Sequence, residues 1–237
     1  MTWSILARDP KTGEIGVAIA TKSFAVGALC PHGDGRLGVL ATQALVNPLY
    51  ARRGLTLLGE GYAGPDVVAM LTAADPGAAS RQLHVMDMAG RIGAHTGRDC
   101  VDWCGHAGGK NVSVAGNMLM GKDVVVATRD AYLGASHLPF AERLLAAMDA
   151  GEAAGGDKRG RQSAALKVWA GEDYRKLDIR TDDHRYPLVE LRRLHEVAQE
   201  RFVAFSGAFA TRGNPGGITD RAEIDAMIDK AAKKRRR

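Results

Sequence analysis

Side chains suited to binding a small anion are densest between residues 157 and 162. This stretch contains Asp157, Lys158, Arg159, Arg161 and Gln162, with three glycines close by. An arginine guanidinium can hold a carboxylate through two parallel hydrogen bonds, so we expect these residues to contact a small-molecule substrate. An exposed loop laced with salt bridges has the same composition, and so does a loop at an oligomer interface. The residues alone leave these interpretations open.

Two cysteines and a histidine lie close enough in sequence to suggest a metal site. Cys100, Cys104 and His106 carry zinc-binding groups, but their C-x3-C-x-H spacing is not a standard zinc pattern. Cysteine is also among the residues most often buried in protein cores. We therefore expect no metal and no cofactor. Three cysteines without a secretory signal also argue against a disulfide framework.

The composition predicts a globular protein without a membrane or nucleic-acid partner. Of 237 residues, 46% are hydrophobic and 25% are charged, which excludes disordered, collagen-like and disulfide-rich classes. The net charge of +5 equals that of the last five residues, Lys233 to Arg237, so residues 1–232 are neutral. Nucleic-acid-binding proteins instead spread positive charge over a face. No apolar run reaches about 18 residues and no secretory signal opens the chain, so we expect a cytoplasmic location.

The chain begins with a predicted β-hairpin. Ser4–Arg8 reads as a strand, residues 9–13 as a Pro- and Gly-containing turn, and residues 15–20 as the return strand. Alternation gives the return strand one face of large residues, Ile15, Val17 and Ile19, and one face of small residues, Gly16, Ala18 and Ala20. We expect the large face to pack against a helix layer. The small face would then allow close approach of a second sheet or a ligand.

Further strands and helices follow in groups. The patterns predict strands at 38–44, 82–87, 91–96, 112–117, 163–169 and 178–181, and helices at 53–60, 65–73, 122–132, 139 onwards and 187–201. Hairpins imply antiparallel pairing, and helix pairs between groups of strands favour a layered α+β fold over a doubly wound sheet. Neither GxGxxG nor GxxxxGK(S/T) occurs, which leaves dinucleotide and P-loop sites unsupported.

Several strings, in the same order, resemble domain-of-unknown-function family 1028. They are TWSILARDPKTGEIGVAIATKSFAVG, ATQALVNPLYARRGL, AHTGRDC, GNMLMG, AAGGDKRGRQSAAL and DDHRYPLVELRRL, and they fall within residues 2–194. That family is grouped with the N-terminal-nucleophile (Ntn) hydrolases, so the resemblance implies a four-layer αββα sandwich of two mainly antiparallel sheets between helix layers. We expect this domain to span residues 1–205, followed by a C-terminal extension, residues 206–237, with a short helix and a basic tail.

The resemblance implies that Thr2 is the catalytic nucleophile. In Ntn hydrolases the first residue of the mature chain attacks an amide carbonyl, and its own α-amine takes the proton. An α-amine pKa of about 8 suits this role near neutral pH. The mechanism requires removal of Met1, which the small Thr2 side chain permits, because Thr2 otherwise has an amide nitrogen. Thr2 can also be an ordinary residue at a strand end. Ser4 would need a different mechanism, since it has no free amine.

Other polar residues are candidates to support a nucleophilic Thr2. Lys22 is a cation that can lower the pKa of the nucleophile, and Asn117 is a candidate oxyanion donor. A surface lysine and a turn asparagine are the alternative interpretations. We assign four further residues to substrate binding: Thr42, Gln43, Asn47 and His95. Thr42 and Gln43 must face opposite sides of their strand, and His95 can instead be a structural histidine.

Two functional hypotheses follow from these residues. The first is an amidohydrolase acting on a small amide, peptide or ureido substrate, with Thr2 as its nucleophile. The alternative is a non-catalytic protein that binds a small anionic metabolite on the same fold. A structural or nucleic-acid role through the basic tail ranks last, because the rest of the chain is neutral. Removal of Met1 separates the first two hypotheses. For the oligomeric state we expect a homodimer, the commonest oligomer.

Overall fold

The computed structural model describes residues 2–235 of the chain. Its strands are β1 (Thr2–Arg8), β2 (Glu14–Thr21), β3 (Pro31–Asp34), β4 (Gly38–Ala44), β5 (Arg81–Asp87), β6 (Ile92–Thr96), β7 (Gly105–Gly109), β8 (Val112–Asn117), β9 (Ser163–Ala170) and β10 (Arg175–Thr181). Its α-helices are α1 (Val26–Leu29), α2 (Leu49–Gly59), α3 (Gly64–Ala73), α4 (Lys122–Gly134), α5 (Phe140–Ala153), α6 (Pro187–Glu200), α7 (Phe202–Ser206) and α8 (Arg221–Arg235).

The strands form two antiparallel sheets. The first sheet has the order β10-β9-β2-β1-β8-β7, and the second has the order β3-β4-β5-β6. The predicted hairpin is confirmed, with Trp3 opposite Ala20 and Arg8 opposite Ile15. Its turn uses Gly13 at φ 74°, a conformation that glycine adopts without steric cost. Because β8 pairs with the other edge of β1, the first strand of the chain lies inside its sheet.

Large apolar side chains fill the space between the two sheets. This buried cluster comprises Leu6, Ile15, Val17, Val39, Ala41, Met86 and Trp169. Two facing sheets lie about 10 Å apart, and branched or aromatic side chains are needed to fill that gap. The prediction that the large face of β2 packs against helices is therefore wrong, because Ile15 and Val17 face the second sheet.

The small face of β2 lies against a helix instead. A Cβ atom placed on Gly16 would lie 3.0 Å from the Phe140 ring and 3.2 Å from a methyl group of Leu144. Both residues belong to α5 and are buried. The absence of a side chain at Gly16 thus lets α5 approach the sheet closely.

Helices cover the outer face of each sheet. On the second sheet, α2 and α3 pack through a buried cluster that includes Leu40, Tyr50, Val67, Leu71 and Leu83. On the first sheet, α4 contacts β8 and α5 contacts β2, with their buried residues turned inward. These layers confirm the predicted α+β sandwich of helices, two sheets and helices.

The chain divides into two compact units, one ending at Leu191 and the other starting at Arg192 within α6. The second unit contains α7 and α8, with a small buried cluster of Ala208, Ile224 and Ile228. Lys233, Lys234 and Arg235 lie in the last turn of α8, while Arg236 and Arg237 are outside the described residues. Between residues 2 and 235, none of the helices combines the length and apolar character needed to cross a bilayer.

Candidate functional site

Thr2 opens β1 at one end of the sandwich, between the ends of β2 and β8. It lies opposite Asn117 in the ladder, and its hydroxyl donates to the Thr21 hydroxyl at 3.2 Å. Only 7% of the residue is exposed. Alternation along β1 points the side chains of Thr2, Ser4 and Leu6 into the space between the sheets. Thr2 is therefore the outermost member of a polar row that continues inward to Ser4.

The amide of Asn117 is directed toward the start of β1. Its Nδ2 lies 3.5 Å from the Thr2 carbonyl oxygen and donates to Oε1 of Gln82 at 3.0 Å. Gln82 is itself fixed, because its Nε2 faces three acceptors. These are Thr96 Oγ1 at 2.9 Å, Gly116 O at 2.8 Å and Gly105 O at 3.3 Å. Asn117 therefore presents N–H groups rather than its carbonyl, the polarity that an oxyanion donor needs.

A second buried amide, Gln43, joins this network to Ser4. Its Nε2 donates to Gln82 Oε1 at 2.8 Å and to the Ala115 carbonyl at 3.2 Å. Because a carbonyl can only accept, the Ala115 contact fixes the orientation of the Gln43 amide. Its Oε1 must then face Ser4, whose hydroxyl donates to it at 2.7 Å. Of the predicted site residues, Thr2, Gln43 and Asn117 thus lie in one buried network.

His84 completes the network and is not among the site residues that the sequence predicts. Its Nε2 lies 2.9 Å from Ser4 Oγ, and its Nδ1 lies 2.9 Å from Ser113 Oγ. Burial lowers the pKa of His84 well below its usual value, so the ring is neutral. The Ser4 proton is already donated to Gln43, so Nε2–H of His84 donates to Ser4 and Nδ1 accepts from Ser113. This arrangement leaves the Ser4 hydroxyl unactivated.

The missed residues share one recognisable signal. Gln82 and His84 are both fully buried and sit two positions apart on β5, which places them on the same face. Polar residues at alternate positions of a strand with buried neighbours must find partners inside the protein. Two polar residues at alternate positions of a predicted strand are the sequence signal that such a layer offers.

A cleft lies beside the end of β2 and collects most of the predicted anion-binding residues. It has a volume of about 610 Å³ and is lined in part by Lys22, Asp157, Arg159, Arg161 and Gln162. Asp157 is 5% exposed and accepts from the Lys22 amide at 2.7 Å and the Arg159 amide at 2.9 Å. These bonds anchor the 155–162 loop directly to the residue that follows β2.

The same loop is tied to β8. Asp157 forms a bridge with Leu119, two residues beyond Asn117. Since Thr21 and Asn117 both flank Thr2, this bridge brings the loop to the end of the sheet where Thr2 lies. Lys158 lies apart from the cleft lining, and its ammonium donates to the Asp102 carbonyl at 3.0 Å.

Three predicted binding residues make contacts on the outer face of the second sheet. The backbone amide of Asn47 donates to the Thr42 hydroxyl at 3.3 Å, and the side-chain amide of Asn47 donates to Asp75 at 2.9 Å. Asn47 Oδ1 also accepts from the first amide of α2 at 3.1 Å. His95 Nε2 lies 2.8 Å from the Ala78 carbonyl. These side chains hold loops and a helix start, on the opposite face from Gln43 and Gln82.

Backbone strain is concentrated at the Thr2 end of the sandwich. Among residues 2–235, four non-glycine residues have positive φ, and three of them are Ala25, Ala44 and Met118. Ala25 follows β2, Ala44 ends β4, and Met118 directly follows Asn117. The fourth, Asn111, is of a type that tolerates this conformation in a turn. Such strain is typical of functional sites, where the surroundings enforce it.

The cysteines that suggested a metal site lie in the 97–104 loop. The Cys104 thiol faces the Cys100 carbonyl at 3.5 Å, and burial raises its pKa to about 11. His106 Nε2 instead lies 3.0 Å from Ser113 Oγ. No group of three His, Cys, Asp or Glu side chains within residues 2–235 is arranged to hold a metal ion.

The fold and this site define an αββα sandwich protein with a polar centre at the start of its first strand. The chain belongs to DUF1028, a family of unknown function, whose model matches residues 2–191. It is similar to the crystal structure of protein SPO2555 from Silicibacter pomeroyi, also a DUF1028 protein, at 35% identity. That match covers 93% of this chain and 96% of the other, with a TM-score of 0.86.

A more distant similarity is to Anbu, the ancestral β-subunit, from Yersinia bercovieri. It shows 10% identity over 83% of this chain and 94% of the other, with a TM-score of 0.36, which is too low to support any inference. No curated protein matches the chain.

Proposed function

We propose that the protein is an amidohydrolase that uses Thr2 as its nucleophile after Met1 has been removed. The observation that carries this proposal is the position of Thr2, which opens a central strand with its hydroxyl held by Thr21 at 3.2 Å. On removal of Met1, the hydroxyl and a free α-amine belong to the same residue. An amine with a pKa of about 8 is partly unprotonated near neutral pH and can act as the base.

The proposed reaction proceeds through an ester. Thr2 Oγ1 attacks the amide carbonyl carbon while the Thr2 amine takes the hydroxyl proton, and the same proton then passes to the departing nitrogen. Water next attacks the ester, again with the amine as base, and restores Thr2. Charge develops on the carbonyl oxygen in both steps. Asn117, whose Nδ2 already points toward Thr2, is the proposed donor to that oxygen.

The cleft beside β2 is the proposed substrate-binding region. Lys22 directly follows Thr21, and its ammonium donates to the Arg161 carbonyl at 3.1 Å on the cleft wall. The closeness of this cation to the end of β2 supports a role in binding an anionic substrate and favouring the ionised nucleophile. We propose a small substrate, because the cleft volume is typical of small-molecule sites.

The second candidate function is binding of a small anion without turnover. It is favoured by one observation, namely that the charged cleft lies outside the buried Thr2 network and needs no change at Thr2 to accept a ligand. In that case removal of Met1 would be irrelevant to function.

The two candidates are separated by hydrolysis assays on matched variants. Purified protein is incubated with a panel of N-acyl amino acids, small peptides and ureido acids, and released amine is quantified. We expect Thr2→Ala to abolish release and Thr2→Ser to retain it, because serine keeps both the hydroxyl and the amine. Release by Thr2→Ala at the wild-type rate would overturn the proposed mechanism.

A further inference from the structure

The cleft beside β2 contains more cationic groups than its own carboxylates satisfy. Four cations line it: Lys22, Arg159, Arg161 and Arg185. Three carboxylates line it as well: Glu152, Asp157 and Asp183. All three have partners within the protein.

Each carboxylate of the cleft is already engaged. Glu152 pairs with Arg161, and Asp157 accepts from the amide and the guanidinium of Arg159. Asp183 accepts from the side-chain amide of Gln162 at 3.2 Å. Glu152 and Asp157 are thus paired with arginines, while Asp183 is held by a neutral amide, and the four cations and three carboxylates leave the cleft with a formal charge of +1.

Two cations remain without a carboxylate among residues 2–235. Lys22 Nζ donates only to a backbone carbonyl, that of Arg161 at 3.1 Å. The Arg185 guanidinium stacks over the Tyr186 ring, 5.3 Å from its centroid. Stacking leaves the edge of the guanidinium, with its N–H donors, open to a ligand. An ammonium and a guanidinium thus line one cleft, each able to take a carboxylate.

We propose that this cleft binds a small dicarboxylate, with one carboxylate on Lys22 and the other on Arg185. As a substrate assignment it rests on the proposed amidohydrolase function, and it then names an amide that carries two carboxylates. The binding itself does not depend on Thr2, because neither cation touches the buried network.

The test uses simple dicarboxylates that contain no amide bond. Succinate, glutarate and adipate vary the separation of the two carboxylates, while glutaramide has the length of glutarate without its charge. Isothermal titration calorimetry of the full-length protein should show saturable, one-to-one binding of at least one dicarboxylate. Binding of the uncharged glutaramide should be at least tenfold weaker, because charge-assisted hydrogen bonds are lost.

Variants identify the two contacts. Lys22→Gln and Arg185→Gln should each weaken dicarboxylate binding by about tenfold or more. Arg98→Gln, at an arginine that is 87% exposed and outside the cleft, is the matched control and should bind like the wild type. Arg185 is exposed, so its variant keeps the test valid even if Lys22→Gln folds poorly.

Three outcomes would overturn the proposal: no saturable binding of any of the dicarboxylates, equal binding of glutaramide, or wild-type affinity in both cleft variants. Failure of the hydrolysis assays is a separate result. Dicarboxylate binding without any Thr2-dependent hydrolysis would leave this inference standing and remove the proposed function. Thr2-dependent hydrolysis of neutral amides, together with no saturable binding of any dicarboxylate, would do the reverse.

Discussion

The Ser4 hydroxyl donates to Oε1 of Gln43 over 2.7 Å, although Nε2 of His84 lies only 2.9 Å from the same oxygen. A serine beside a histidine is the usual arrangement of an activated nucleophile, in which the imidazole accepts the hydroxyl proton. Here the Ala115 carbonyl fixes the Gln43 amide, and the proton goes to the amide oxygen instead. Ser4 and His84 therefore serve to orient their neighbours, and Thr2 remains the candidate nucleophile.

Replacing Ser4 tests this distinction. Ser4→Ala should keep Thr2-dependent hydrolysis, because it removes no reacting group. It should lower the free energy of unfolding by about 1–3 kcal/mol, since Gln43 and His84 each lose a buried partner. Urea denaturation and amine release on the same preparations measure both effects. Loss of hydrolysis in a fully folded Ser4→Ala protein would contradict the assignment.

Asn117 should contribute to the rate and little to substrate affinity. Asn117→Ala removes the proposed oxyanion donor, and loss of one such donor lowers kcat by about 100-fold or more. Asn117→Asp is the matched variant, as it has the same size but no N–H. Steady-state kinetics should show a fall in kcat with little change in KM for both. A rise in KM at constant kcat would assign Asn117 to substrate binding instead.

Gln82 should act by positioning Asn117. Gln82→Glu keeps the acceptor for the Asn117 amide but cannot donate to the Gly105 and Gly116 carbonyls. We expect kcat to fall and the protein to lose about 1–3 kcal/mol of stability from the unsatisfied buried carbonyls. In the double variant with Asn117→Ala, the effect on kcat should not add to that of the single change. Full additivity would show that Gln82 acts independently of Asn117.

Stability should fall at mildly acidic pH because of His84. Burial holds the pKa of the folded His84 well below the unfolded value of about 6.5, so below that pH the unfolded chain binds a proton that the folded chain does not. This one group should lower the free energy of unfolding by up to about 1.4 kcal/mol per pH unit as the pH falls below about 6.5. Burial also lowers the pKa of His32 and of His106, so both groups contribute to the same loss of stability as the pH falls. Urea denaturation at several pH values should give a shallower dependence for His84→Gln, and an unchanged slope would contradict this account.

The close packing of β2 against α5 should make Gly16 sensitive to substitution. The added Cβ of Gly16→Ala would lie 2.8 Å from the Lys167 carbonyl and 3.0 Å from the Phe140 ring. Overpacking of this kind costs about 1–3 kcal/mol. Gly134→Ala, at the last residue of α4, meets nothing within 4 Å and should leave stability unchanged or higher. Equal melting temperatures for the two variants would contradict the packing described.

Local sequence patterns predict which segments form strands and helices better than they predict what each segment packs against. The hairpin of β1 and β2 follows from alternation and from a turn with Pro10 and Gly13, and these signals lie within a few residues of one another. The direction of the two faces of β2 does not follow from alternation, because a large face suits either a helix or a second sheet. Only the packing of whole layers decides between them.

In the candidate site, too, the sequence predicts where a residue lies on its strand better than it predicts which residues it contacts. Thr2 and Asn117 are strand ends that the ladder brings together, and the family resemblance marks Thr2. The hydrogen bond between Gln43 and Ser4 depends on how the two sheets face each other. The two residues are 39 positions apart, so local spacing does not predict their contact. His95 is as polar as Gln43 or Gln82, yet its side chain faces the outer helix layer. Adjacent residues of a strand point to opposite faces, and its neighbour Thr96 is the one that faces Gln82.

The mass of the intact, natively expressed protein shows whether Thr2 has the free amine that the proposed mechanism requires. We expect a chain that begins at Thr2 and is lighter than the full sequence by one methionine residue, with an N-terminal amino alcohol that periodate oxidises. A fully active protein whose every molecule still begins with Met1 would contradict it, because the amine that must take the hydroxyl proton would then not exist.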